Sequence, residues 1–129
     1  MDDSFKYLYE TRGWHEGLAR ATAESKGICK YCDDDLLESR VGYTSITLDH
    51  LLPQKLYPDF VEHPKNHVLC CASCNLMKRD WDPIRVGENP GQMLKENQDE
   101  LITRVRKKLN EAIDRRKTEW LEVKAHVAS

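Results

Sequence analysis

In the last third of the chain, apolar residues recur at helical spacing. Leu94, Leu101, Val105, Leu109, Ala112 and Ile113 fall three, four and seven positions apart, and this stripe predicts an amphipathic helix over roughly residues 93–126. "VGENPGQ" at 86–92 interrupts the chain just before it. Residues 1–27 also read as helical, with Leu18 and Ala19 inside "WHEGLARATAESKG" and Gly27 as the stop. Between these two stretches the period falls to two. "YTSITLDHLL" (43–52) alternates and carries β-branched residues, as a strand does, and "HVLC" (67–70) is a second, shorter strand. "DDDLLESRVG" (33–42) reads as loop, as does "PQKLYPDFVEHPKN" (53–66) with its three prolines, and "CASCNLMKRDW" (71–81) opens a short helix. The pattern divides the chain into an N-terminal helical segment (1–27), a central core (28–86) and a C-terminal helical extension (87–129).

Composition narrows the class. The chain has 129 residues, of which 40% are hydrophobic and 33% charged, so its core is small and needs a staple. A net charge of −2 excludes a generic polyanion binder, and any basic surface must be local. No apolar run approaches the roughly 20 residues that span a bilayer, so no membrane role is expected. The acidic, aromatic start "MDDSFKYLYE" is unlike a signal peptide, and a cytoplasmic location is expected, where disulfides are rare.

Five cysteines must then be accounted for without disulfides. Cys29 and Cys32 form one C-x2-C, and Cys71 and Cys74 form a second, with 38 residues between the pairs. Two thiolates from one tight turn reach one ion, and two such turns complete a tetrahedral sulfur site suited to Zn²⁺. Four sulfurs leave no open position, so this zinc is structural and any chemistry lies elsewhere. Cys70 is left over and reads as a small buried residue.

Between the cysteine pairs stand Asp49, His50 and Asn66; Asn75 directly follows Cys74, and Lys78 comes three residues later. With "GICKYC", "ITLDHLLPQ" and "NHVLCCASCNLMK" in this order, the chain resembles the HNH, or ββα-metal, endonuclease family, in its zinc-stapled subgroup, over residues 27–83. The resemblance implies an α+β fold: a small ββα-metal core with a tetra-cysteine zinc site and flanking helices. It implies a metal-dependent endonuclease that hydrolyses phosphodiester bonds in nucleic acid, DNA foremost, leaving 5′-phosphate and 3′-hydroxyl ends. His50 would be the general base, Asp49 and Asn75 would hold a catalytic Mg²⁺ or Mn²⁺ through hard oxygens, and Asn66 would hold the loop and orient the histidine. Adjacent strand residues point to opposite faces, so Asp49 and His50 share one site only if the strand ends there, as Pro53 suggests. Two positions depart from the family pattern. His67 stands where an apolar residue is usual and reads as a half-exposed strand residue, and Asn75 stands where many members have histidine. His63 reads as a solvated loop residue, and His15 and His126 as surface residues.

Lys55, Lys65, Lys78, Arg79 and Arg85 flank the site and are the candidate phosphate contacts. Residues 104–117, "RVRKKLNEAIDRRK", carry seven basic and two acidic side chains, and could follow a duplex, bind a partner protein or a second copy, or form the solvated face of a packed helix. No helix-turn-helix or similar reader is visible, so base specificity should be weak. The competing readings are a non-catalytic zinc module that binds nucleic acid or a partner protein, and a nuclease subunit active only inside a larger complex.

Overall fold

The computed structural model describes residues 3–128. Its centre is a two-stranded antiparallel sheet, β1 (Ile46–His50) and β2 (His67–Cys71), in which Ile46 pairs with Cys71, Leu48 with Leu69, and His50 with His67. Before the sheet come α1 (Asp3–Lys6), a π-helical turn (Tyr7–Thr11), α2 (Glu16–Ser25) and α3 (Arg40–Thr44). After it come α4 (Ala72–Lys78), α5 (Pro90–Glu96) and α6 (Gln98–Val127). This is a small α+β fold with a ββα core and flanking helices. None of the described helices is long and apolar enough to cross a membrane.

The observed elements differ from the sequence pattern in three places, each for a local reason. The N-terminal helical stretch is broken at Gly13, whose φ of +72° ends one helix, and the His15 side chain accepts the Leu18 N–H to start the next. The stretch 33–45 is not all loop leading into strand. Ser39 Oγ accepts the Gly42 N–H at 2.9 Å and nucleates α3, which delays β1 to Ile46. The long C-terminal helix is two helices. Asn89 caps α5 with Pro90 in its first turn, and non-helical backbone at Asn97 (φ −136°, ψ 38°) separates α5 from α6.

The two faces of the sheet are covered differently. Thr47 and Asp49 face α4, where Asn75 and Lys78 meet them. His67 turns to the other face and meets α2 at Gly17, and the His50 ring lies against it. One apolar cluster joins the cysteine turn (Cys29, Tyr31), the end of β1 (Leu51, Leu52) and the buried stripe of α5 and α6 (Leu94, Leu101, Val105, Leu109, Ile113). Arg104 adds a bidentate pair with Glu88 (2.7 and 2.9 Å) and donates to the Pro83 carbonyl, which clamps the 79–89 loop to α6. Beyond Ile113 every described residue of α6 is exposed, Trp120 and Leu121 included, so the helix projects past the core.

Gly17 is where α2 approaches the sheet most closely. A Cβ built there would stand 2.6 Å from His67 Nδ1. Gly17→Ala should therefore lower stability by about 1–3 kcal/mol despite alanine's better helix propensity, a sign that urea denaturation of the zinc-loaded protein reads directly.

Candidate metal centre and polar site

The metal centre is built by two turns. In the first, Cys29 N–H bonds the Asp34 carbonyl, Asp33 N–H bonds the Cys29 carbonyl, and Asp33 takes a positive φ of 67°, so that the chain doubles back between Cys29 and Cys32. Lys30 N–H then bonds the Leu69 carbonyl and fastens the turn to β2. The second turn is the junction of β2 and α4, where Cys71 is the helix cap and Cys74 lies in the first turn. The Sγ atoms of Cys29, Cys32, Cys71 and Cys74 all lie within 4.8 Å of one another, and they are the only metal-sized His/Cys/Asp/Glu group among the described residues. Tetrahedral zinc with Zn–S bonds of about 2.3 Å needs sulfurs about 3.8 Å apart. Cys32 and Cys71 are separated by 3.9 Å.

Backbone amides support the anionic form of this cluster. Cys71 N–H points to Cys29 Sγ and Cys74 N–H to Cys71 Sγ, both at 3.4 Å. The thiols of the partner cysteines and these amides hold Cys29 down to about 6 and Cys71 low as well, while Cys32 and Cys74 are pushed up as the proton-carrying partners. Soft sulfur donors in a closed tetrahedral set fit Zn²⁺. Cys70 is fully buried and outside the cluster; Thr47 Oγ1 lies 3.4 Å from its sulfur. Arg106 ties α6 to the first turn through Asp33 (2.6 and 3.0 Å) and the Lys30 carbonyl.

The polar residues singled out in the sequence divide between the two faces of β1: Asp49, Asn75 and Lys78 on the α4 face, His50 on the other, with Asn66 at the strand's end. Asp49 is 6% exposed, and its Oδ2 accepts both the Tyr31 hydroxyl at 2.6 Å and the Lys78 ammonium at 3.2 Å. Burial raises the Asp49 pKa, opposed by the Lys78 charge and the Tyr31 bond. Burial and the neighbouring carboxylate push Tyr31 well up, so it stays protonated and donates. Lys78 does not face the solvent where a phosphate would lie. It is 2% exposed and also donates to the His50 carbonyl, because α4 carries it onto the inner face of the sheet. Asn75 is one turn earlier on the same helix, and its Nδ2 donates to Thr47 Oγ1 at 3.1 Å. Asn66 is fully buried. Its amide accepts from Leu52 N–H and donates to the Leu52 and Phe60 carbonyls, so that one side chain holds the irregular 53–66 segment against the end of β1.

His50 lies on the opposite face from Asp49. Its Nε2 is 3.1 Å from the Val61 carbonyl. A carbonyl only accepts, so Nε2 carries the proton and Nδ1 keeps the lone pair in the neutral ring. Burial, and then the neighbouring His67, lowers the His50 pKa below 6.5. His67 is not a half-exposed strand residue. It is 8% exposed, packs its ring 5.4 Å from that of His50, and shares the same Val61 carbonyl at 2.7 Å. The register pairing of His50 with His67 accounts for this contact, and the alternation of apolar residues gave no sign of it. His15 caps α2 and its ring faces His67 at 6.5 Å, while His63 accepts the Lys65 N–H. Lys55, Arg79 and Arg85 are exposed, and the Lys65 ammonium is bonded to the Lys95 carbonyl. Tyr31 was missed in the sequence; its place inside C-K-Y-C, two residues after a metal ligand, was the available signal.

No protein-family model matches the chain, and a search of curated proteins found no match either.

The purified protein should contain one zinc ion per chain by atomic emission. Cys74→Ser should lose both the metal and the folded circular-dichroism spectrum, because binding at such sites contributes on the order of 10 kcal/mol to folding, whereas Cys70→Ala should keep both. Lys78→Met should destabilise the zinc-loaded protein by about 3–5 kcal/mol, since it strands the Asp49 carboxylate in the interior. The double variant Asp49→Leu/Lys78→Met should recover much of that loss in the same urea titration.

Proposed function

We propose that this zinc-stapled ββα module is an endonuclease that hydrolyses phosphodiester bonds in nucleic acid, with DNA as its substrate. The observation that carries the reading is His50: a half-buried imidazole, held neutral, with Nε2 tied to the Val61 carbonyl and Nδ1 left with its lone pair. That is the form a general base needs at neutral pH. In the reaction, Nδ1 takes a proton from water, the hydroxide adds to phosphorus in line, and the bond to the 3′ oxygen breaks. The departing 3′ oxygen takes a proton from solvent water, the products are a 5′-phosphate and a 3′-hydroxyl, and the imidazolium returns its proton to solvent.

Two oxygens on the α4 side of β1 are the ligands we assign to a hard divalent cation. Both hydrogen bonds to Asp49 fall on Oδ2, which leaves Oδ1, and Asn75 donates through Nδ2, which leaves its amide oxygen. Thr47 and Asp49 are two residues apart on β1, so both oxygens belong to one strand face. Asp49 and Asn75 would hold Mg²⁺ or Mn²⁺, and the bound ion would supply charge stabilisation to the leaving oxygen. Asn66 holds the loop that carries the Val61 carbonyl and so fixes the His50 tautomer. Exposed Lys55, Arg79 and Arg85 are the phosphate contacts, and Lys78 acts from inside as the counter-charge to Asp49.

One observation favours a second reading, a non-catalytic zinc module that binds nucleic acid or a partner protein. Asp49 is already neutralised by Lys78 and Tyr31 and needs no further cation. Nicking of supercoiled plasmid with Mg²⁺ or Mn²⁺ separates the two readings. We expect cleavage by the wild type and a loss of about 10²- to 10⁴-fold in His50→Ala, with folding and DNA binding intact. A wild type that binds DNA and never cuts it establishes the binding module instead.

The pH profile gives an independent check. A lowered pKa means that His50 loses its proton below pH 6.5 and is fully available above it. Cleavage should rise with pH along an acid limb centred below 6.5 and be flat from there through neutrality, as measured by initial nicking rates in buffers of constant ionic strength.

A further inference from the structure

We propose that the cleft between the N-terminal turn and α2 is a binding site for single-stranded nucleic acid, one that takes a nucleobase against Trp14 and Tyr43. It is about 950 Å³, ample for a nucleotide, and it lies apart from the cysteine cluster and from Asp49. Trp14 and Tyr43 meet there with ring centroids 6.1 Å apart and planes tilted by 41°, and Tyr7 adds a third aromatic side chain, 54% exposed. Two observations say what kind of ligand the cleft takes.

The first is the aromatic wall, where Trp14, Tyr43 and Tyr7 offer π faces on which a base stacks. The second is charge. Arg12 and Lys26 line the same cleft, and neither forms an ion pair among the described residues. A purely apolar ligand would leave both cations without a role. A nucleotide uses both features: a base on Trp14 and Tyr43, and a phosphate at Arg12 and Lys26. Asp3 also lines the cleft, so two basic side chains there stand against one acidic one. Paired bases hide their faces in a duplex, so the occupant is an unpaired base.

The site bears on the proposed reaction, and to that extent it rests on the nucleic-acid reading. Trp14 directly precedes His15, whose ring faces His67, whose ring faces His50. A base held in the cleft selects unpaired or locally opened DNA over intact duplex.

The test is fluorescence anisotropy of a labelled oligo-dT and of a duplex of equal length, titrated with the zinc-loaded full chain without added divalent cation. We expect tighter binding to oligo-dT than to the duplex. Trp14→Leu should weaken oligo-dT binding by about tenfold and leave duplex binding unchanged. The double variant Arg12→Gln/Lys26→Gln removes only the unpaired cleft cations, so its melting temperature should stay the same while oligo-dT binding falls several-fold. That combination separates a ligand contact from a packing residue. Variants that bind oligo-dT as the wild type does overturn the proposal, as does equal affinity for both forms. A hydrophobic dye held in the cleft and not displaced by oligo-dT also overturns it and makes the cleft an apolar docking surface. If the wild type nicks plasmid while the two variants bind oligo-dT normally, only the cleft assignment falls. If the wild type binds no nucleic acid of any form, the functional reading falls with it.

Discussion

The four-sulfur cluster is the constraint on which the rest of the molecule depends. It joins a turn at 29–32 to the β2–α4 junction, two places far apart in sequence that no long strand or large apolar face would otherwise bring together. The sheet has only two strands of five residues each, too little to be stable without help. With the turn fixed to β2 through the Lys30–Leu69 bond, Tyr31 is delivered to the interior, where it meets Asp49. With α4 fixed at its first turn, Asn75 and Lys78 are delivered to the same strand face. The metal centre takes no part in chemistry of its own and still decides where each polar side chain sits.

The interior that results is unusually polar for its size. Asp49, Asn66, His67 and Lys78 are all buried at the end of one short hairpin. Each is held by at least one hydrogen bond, and the bonds run between elements: turn to strand, helix to strand, loop to strand. Such a network gives a small core a defined geometry at a cost in desolvation that better-packed apolar residues would avoid. The same bonds fix the Asp49 carboxylate on one face of the sheet and the His50 ring on the other.

Much of this was legible in the sequence, and the limits are physical. The matched C-x2-C pairs foretold the cluster because the spacing itself imposes the geometry. The two strands and α4 were legible because apolar alternation and the proline-rich segment mark their ends. The short helix α3 was not, since a five-residue helix has no periodicity to read and depends on the Ser39 cap alone. The division of the C-terminal stretch at Asn97 was hidden for a related reason: the apolar stripe continues across it from Leu94 to Leu101. The burial of Lys78 and the stacking of His67 on His50 depend on which strand positions face each other, information carried by register and by no local pattern. Lysine and histidine in a polar sequence read as solvated until that register is known.

The three-residue steps along α4 act as a ruler. Cys71 caps the helix, Cys74 stands in its first turn, Asn75 follows, and Lys78 reaches Asp49 one turn later. Each residue added to a helix turns everything beyond it by about 100°. A single insertion between Cys74 and Lys78 would leave the metal centre whole but aim the ammonium away from the sheet, and the carboxylate would lose its counter-charge. Length in this stretch is therefore as tightly constrained as residue identity, while the exposed end of α6 beyond Ile113 can lengthen or shorten without reaching any of these groups. Over divergence or in engineering, the chain should accept growth at that end and refuse it within the seven residues that carry the site.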